Sequence, residues 1–182
     1  MDDQIGPDED EEGSRDRFIV LLRHGLAEDK TPEKPDQERS LTSDGHARMK
    51  QIARGIERAF PKAQVIYSSP LLRAVQTALW VSKGYRSRVK VGTTDTLAPG
   101  ASPAAFIEFI KGLTERRVIV VGHEPNLSET LAALLGFDGQ ERFELKKGGC
   151  YGVRLRQEGT SVFEWLLSPR LLRKLAETEH DR

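Results

Sequence analysis

Two stretches of the chain are apolar without interruption and of strand length. Phe18-Ile19-Val20-Leu21-Leu22 and Val118-Ile119-Val120-Val121 show no alternation, the pattern of strands covered on both faces. Val65-Ile66-Tyr67 and Val89-Lys90-Val91 are shorter candidates. Between these runs the apolar positions move to helical spacing. Ala47, Met49, Ile52, Ala53, Ile56 and Phe60 share one face of a helix that Leu41-Thr42-Ser43-Asp44-Gly45 leads in and that stops before Pro61, with Thr42 and Ser43 as capping residues. A second helix runs from Leu71 to Val81, starting after Pro70 and ending near Gly84. Pro103 opens a third, through Phe106, Ile107, Ile110 and Leu113, and residues 126–136 make a fourth that closes at Gly136. Strands return at about 142–146, 150–156 and 161–167, and a short helix follows Pro169. This alternation predicts an α/β three-layer sandwich: a mostly parallel central sheet with one antiparallel strand and helices on both faces.

Charge divides the chain differently. Over its 182 residues 28 Lys and Arg balance 28 Asp and Glu, yet residues 1–17 hold eight acids and two bases, leaving 26 bases against 20 acids from residue 18 onward. The first 16 residues combine Asp, Glu, Gly, Pro and Ser with almost nothing apolar, which predicts a disordered acidic leader before a single domain over residues 17–182. The overall neutrality, with 31% of residues charged, gives no global reason to expect nucleic acid or an anionic membrane as partner. The one cysteine, Cys150, excludes an intrachain disulfide and a cysteine-rich zinc site. With no apolar run of membrane-spanning length, the expectation is a cytoplasmic protein, and the absence of heptads points to a monomer.

Open α/β sheets bind ligands beyond the carboxyl ends of their strands, so the residues just after each apolar run are the ones to inspect. Arg23-His24-Gly25 follows the first run, Ser68-Ser69-Pro70-Leu71-Leu72-Arg73 follows Val65–Tyr67, and Gly122-His123-Glu124-Pro125 follows the run ending at Val121. Two of only four histidines (His24, His46, His123, His180) thus stand at equivalent strand ends, together with two arginines. Guanidinium forks match phosphate oxygens. A neutral imidazole between them is a competent nucleophile toward phosphorus, and a second imidazole, when cationic, adds charge where a loose phosphoryl transition state gathers negative density. The set predicts phosphoryl transfer through a phosphohistidine, with Gly25 allowing the backbone close to the phosphate and Ser69 a further contact to it.

Arg23-His24-Gly25, Ser69-Pro70-Leu71-Leu72-Arg73-Ala74-Val75-Gln76-Thr77-Ala78 and Gly122-His123-Glu124-Pro125 resemble, in order, the signatures of the histidine phosphatase superfamily, the phosphoglycerate mutase-like fold. The short length, Leu41-Thr42 with Gly45, Leu97-Ala98-Pro99-Gly100 and Trp165-Leu166-Leu167-Ser168-Pro169 resemble its SixA-type branch of small phosphohistidine phosphatases. The resemblance implies that His24 is the nucleophile, that Arg23 and Arg73 bind the phosphoryl group, and that His123 completes the catalytic set. The histidine pair raises the question of a metal, but two arginines beside it repel a cation, so no metal is expected, and no cofactor.

Larger members of the superfamily carry an acid, in a segment inserted between the second and third motifs, that protonates the leaving oxygen. Here residues 84–116 hold only Asp95, Glu108 and Glu115 as acids. Glu108 and Glu115 fall on or after the third helix, which leaves Asp95 as the one loop candidate, while Glu28 and Glu124 are expected as rim or structural residues. General acid help is typically worth about 10²–10⁴-fold for a poor leaving group. A site without it favours an N–P bond, whose imidazole leaves readily. The expected substrate is therefore phosphohistidine on a partner protein, such as a histidine-containing phosphotransfer domain, with inorganic phosphate as product. A phosphatase of small phosphorylated metabolites is the alternative, and a non-enzymatic phosphoprotein-binding module a third reading. Lys146-Lys147 could extend the positive field toward an acidic substrate, and Trp80 and Trp165 are expected as packing residues.

Overall fold

The computed structural model describes residues 16–137 and 143–177, so all but the last residue of the expected acidic leader, and also His180, lie outside the described residues. The first apolar run is strand β1 (Arg17–Arg23) and the last is β4 (Arg117–Gly122), with β2 (Val65–Ser68) and β3 (Lys90–Thr93) between them. Their order in one six-stranded sheet is β3-β2-β4-β1-β5-β6, where β5 is Cys150–Leu155 and β6 is Ser161–Leu167. The first four strands pair in parallel, whereas β5 runs antiparallel to both β1 and β6, so it alone is reversed. The single antiparallel member expected from the sequence is therefore β5.

Burial on both faces explains the unbroken apolar runs. Phe18, Val20 and Leu22 of β1 join Ile66, Ile119 and Val121 in one core, closed by α1 (Ser43–Ala59), α2 (Leu72–Gly84) and α5 (Pro169–Glu177). Ile19 and Leu21 join Val118 and Val120 in a second core beneath α3 (Pro103–Gly112) and α4 (Asn126–Leu134). Alternate residues of one strand thus serve opposite layers, as the pleat requires. The helix starts follow their caps: Thr42 Oγ1 accepts from the Gly45 N–H at 2.9 Å, and Ser102 caps α3 with Pro103 in its first turn. Trp80 and Trp165 are partly buried against the first core, and Cys150 is buried within it.

The strand expected at about 142–146 does not form over its described part, residues 143–146. Its backbone groups are engaged by side chains instead of a neighbouring strand. Glu124 Oε1 accepts from the Leu145 N–H at 3.0 Å, and the Leu145 carbonyl accepts from the Arg23 guanidinium. β1 already has β4 on one side and β5 on the other, so neither side of β1 is free for this segment. Among the described residues no helix is long and apolar enough to cross a membrane.

Candidate active site

Because β2, β4 and β1 are adjacent and parallel, their carboxyl ends bring the three motifs to one place. The His24 N–H donates to the Gly122 carbonyl at 3.1 Å and the Ser69 N–H to the Val121 carbonyl at 2.9 Å, so the end of β4 holds the first residues of the loops that follow β1 and β2 on either side of it. The His24 and His123 rings lie 4.9 Å apart, centroid to centroid. Arg73, on the first turn of α2, is 4% exposed, and His24 and His123 are equally withdrawn from solvent.

The tautomer of His24 follows from its partner. Its Nδ1 lies 2.8 Å from the Gly25 carbonyl, which can only accept, so Nδ1 carries the proton and the lone pair is on Nε2. Burial lowers the His24 pKa from 6.5 to about 3; the bond to Gly25 opposes this, and the charges of Arg73, Arg23 and Lys147 reinforce it. His123 is likewise lowered to about 3, by burial first and then by His24, Arg73 and Arg23, with Asp36 opposing. Both imidazoles are neutral at pH 7. The cationic form considered for His123 is therefore not the one this environment supports, because burial, and after it the charges beside the ring, disfavour it. An anion held between the two guanidiniums would reverse the sign of that field.

The neighbours of these groups were not legible as a set in the sequence. Ser69 Oγ lies 2.9 Å from His123 Nε2 and accepts from the Leu71 N–H at 3.3 Å, which fixes that edge of the ring. Thr77 Oγ1 accepts from the Gly25 N–H at 3.0 Å while its hydroxyl donates to the Arg73 carbonyl at 2.7 Å, tying α2 to the loop after β1. Gly25 has a packing reason beyond the close approach expected of it: a Cβ there would stand 2.7 Å from Met49 Cγ. Gly148, at φ +81°, donates its N–H to the carbonyls of both Arg23 and His24 at 3.1 Å, which sets the Lys146-Lys147 turn against the first motif. Arg73 is met by Asp36, in the short turn Asp36–Glu38 between β1 and α1, whose Oδ2 accepts from Nη2 at 2.9 Å. Nε of Arg23, Nε of Arg73 and Nδ1 of His123 are buried without a hydrogen-bond partner among the described residues. Two guanidinium donors and one imidazole nitrogen left bare in one buried corner constitute a cradle for oxyanions.

The carboxylates near this corner are each occupied. Asp36 is bound to Arg73 and Arg39, Glu28 to Lys34 and the Ser40 N–H, and Glu124 to Ser128 and the Leu145 N–H. Asp95 is exposed in the turn after edge strand β3, and no hydrogen bond or ion pair joins it to Arg23, His24, Arg73 or His123. His46 accepts from Trp80 Nε1 at 2.9 Å, outside the corner.

The family model of the histidine phosphatase superfamily (branch 1) matches residues 19–98. An uncharacterized protein of Picosynechococcus sp. is 32% identical over 142 residues, covering 75% of this chain and 84% of that relative. Among solved structures, the protein histidine phosphatase SixA complexed with tungstate superposes with a TM-score of 0.75 at 23% identity, over 85% of this chain and 99% of that one. A phosphoserine phosphatase mutant from Entamoeba histolytica in complex with phosphoserine superposes with a TM-score of 0.65 at 18% identity, over 86% of this chain and 99% of that one. At these identities the two structures share the fold.

Proposed function

The chain belongs to the histidine phosphatase superfamily and is accordingly a phosphatase, and we propose that it removes the phosphoryl group from phosphohistidine on a partner protein. Arg23 and Arg73 hold the phosphoryl oxygens. His24 Nε2 attacks phosphorus in line, the substrate's N–P bond breaks, and the departing imidazole takes a proton from solvent. The His24 Nδ1–H stays hydrogen-bonded to the Gly25 carbonyl throughout, which keeps the nucleophilic nitrogen aimed. His123, held by Ser69, bounds the same pocket and contacts the transferring group. Water then attacks the phosphorus on His24, the second N–P bond breaks, and inorganic phosphate leaves.

The observation that carries the substrate class is the engagement of every neighbouring carboxylate. Asp36, Glu28 and Glu124 are all tied up by donors, so none is free to protonate an alkoxide. An alkyl ester then loses help worth about 10²–10⁴-fold, whereas an imidazole leaving group does not need it. The likeness to SixA bound to tungstate, an oxyanion, agrees with this reading. The likeness to a phosphoserine phosphatase favours the second reading, a phosphatase of small phosphomonoesters with Asp95 as donor. Parallel assays on a phosphorylated histidine phosphotransfer protein, an aryl phosphate and phosphoserine separate the two. Turnover of the first two with little of phosphoserine supports the proposal. Efficient phosphoserine hydrolysis that Asp95→Asn abolishes overturns it.

A further inference from the structure

We infer that Asp36 is a positioning residue of the active site, one that holds the Arg73 guanidinium in the orientation that receives the phosphoryl group. The inference rests on the reading of Arg73 as a phosphoryl ligand. Arg73 leaves α2 as a long side chain with several rotatable bonds, and a fork is useful for an oxyanion only when its plane is fixed. Two bonds fix it here: Nη1 donates to the Asp36 carbonyl at 2.7 Å and Nη2 to Asp36 Oδ2 at 2.9 Å. They engage one N–H of each terminal nitrogen. The Nε–H, buried and unpartnered, and the remaining Nη hydrogens are then left for phosphoryl oxygens.

Asp36 is itself braced. Its Oδ1 accepts from Arg39 Nη1 at 2.7 Å, Arg39 Nε donates to the Glu28 carbonyl at 2.9 Å, and Gln76 of α2 accepts the Leu41 N–H at 2.7 Å. The connection between β1 and α1 is thereby pinned to the helix that carries Arg73. Burial alone would raise the Asp36 carboxyl, but the hydrogen bond and charge of Arg73, then Arg39, outweigh it and hold the group below its ordinary value. Asp36 is therefore an anion that orients Arg73 and not a proton donor. Its charge also opposes a phosphate dianion, and the orienting effect dominates. The Asp36 side chain is 36% exposed, so solvent screens the repulsion, whereas two-point recognition by a guanidinium depends directly on its geometry.

The test is a double-mutant cycle read by binding of inorganic phosphate in the full chain, using wild type, Asp36→Ala, Arg73→Ala and the double variant. Asp36→Ala is expected to weaken phosphate about tenfold and to raise KM while the protein keeps a cooperative thermal transition. In the Arg73→Ala background the same change is expected to alter affinity less than about twofold, because its effect passes through Arg73. An equal loss in both backgrounds, or unchanged or tighter binding by Asp36→Ala alone, overturns the inference. Phosphate affinity unchanged in Arg73→Ala would instead overturn the reading of Arg73 itself. Should Asp36→Ala not fold, Arg39→Ala removes the brace on Oδ1. It is expected to weaken phosphate about threefold, again only when Arg73 is present.

Discussion

Lowering the pH tests the buried histidine pair directly. Both rings have a pKa near 3 in the folded protein against an ordinary 6.5, with burial as the leading cause. A depressed value means that the unfolded chain binds the proton first. Stability is therefore complete above pH 6.5 and is lost as pH falls from 6.5 toward 3. Between pH 7 and pH 5 an unfolded-state histidine goes from about one quarter to almost fully protonated while the folded one stays neutral, a difference of ~2 kcal/mol per ring. The pair together amounts to ~4 kcal/mol, a large share of the roughly 5–15 kcal/mol that holds a domain folded. Asp36 and Glu28 are also lowered, but from 3.8 and 4.5, so their contributions are lost below this window. Urea unfolding followed by circular dichroism at pH 7 and pH 5, in buffers free of phosphate, measures the quantity. Wild type should lose ~4 kcal/mol and His24→Ala about half of that. An identical loss in both proteins would show that His24 is not held neutral by its surroundings and does not rest in its nucleophilic form.

Three further outcomes follow from the same geometry. The profile of kcat/KM, corrected for ionisation of the substrate, should stay level from pH 8 down to about 5 because the free enzyme's His24 is already deprotonated throughout; a limb at 6.5 contradicts this. Thr77→Val removes the acceptor of the Gly25 N–H at constant shape and should cost about 1–3 kcal/mol in urea unfolding. Glu124→Ala frees Leu145, whose carbonyl holds Arg23, and should lower kcat/KM about tenfold with Glu124→Gln restoring most of it; a steady-state comparison of the two variants decides this.

The parts of the fold that could be read in advance are those whose cause is local. Unbroken apolar runs marked β1 and β4 because both faces of a central strand are covered, and Thr42 and Pro103 marked helix starts because a cap or a first-turn proline acts within one turn. Arg23, His24, Arg73 and His123 were legible because each stands at a strand end or just inside the following helix, where a parallel sheet gathers ligands. What stayed hidden depends on distant partners. Asp36 meets Arg73 across 37 positions, and nothing in its polar surroundings distinguishes it from a surface acid. Thr77 reads as one more helical residue until Gly25, 52 positions away, donates to it. The segment at 143–146 shows strand-like alternation, but whether it becomes a strand depends on a free sheet edge, and β5 had taken the only one beside β1.

The central claim is that the His24 imidazole becomes phosphorylated and is then hydrolysed. Mixing the protein with a ³²P-labelled phosphohistidine protein, quenching in alkali within milliseconds and mapping the label by peptide is the most direct measurement. The account predicts a base-stable, acid-labile label on the peptide containing His24, absent in His24→Ala, which should also fail to turn over. Label on another residue, or turnover by His24→Ala at the wild-type rate, would contradict it.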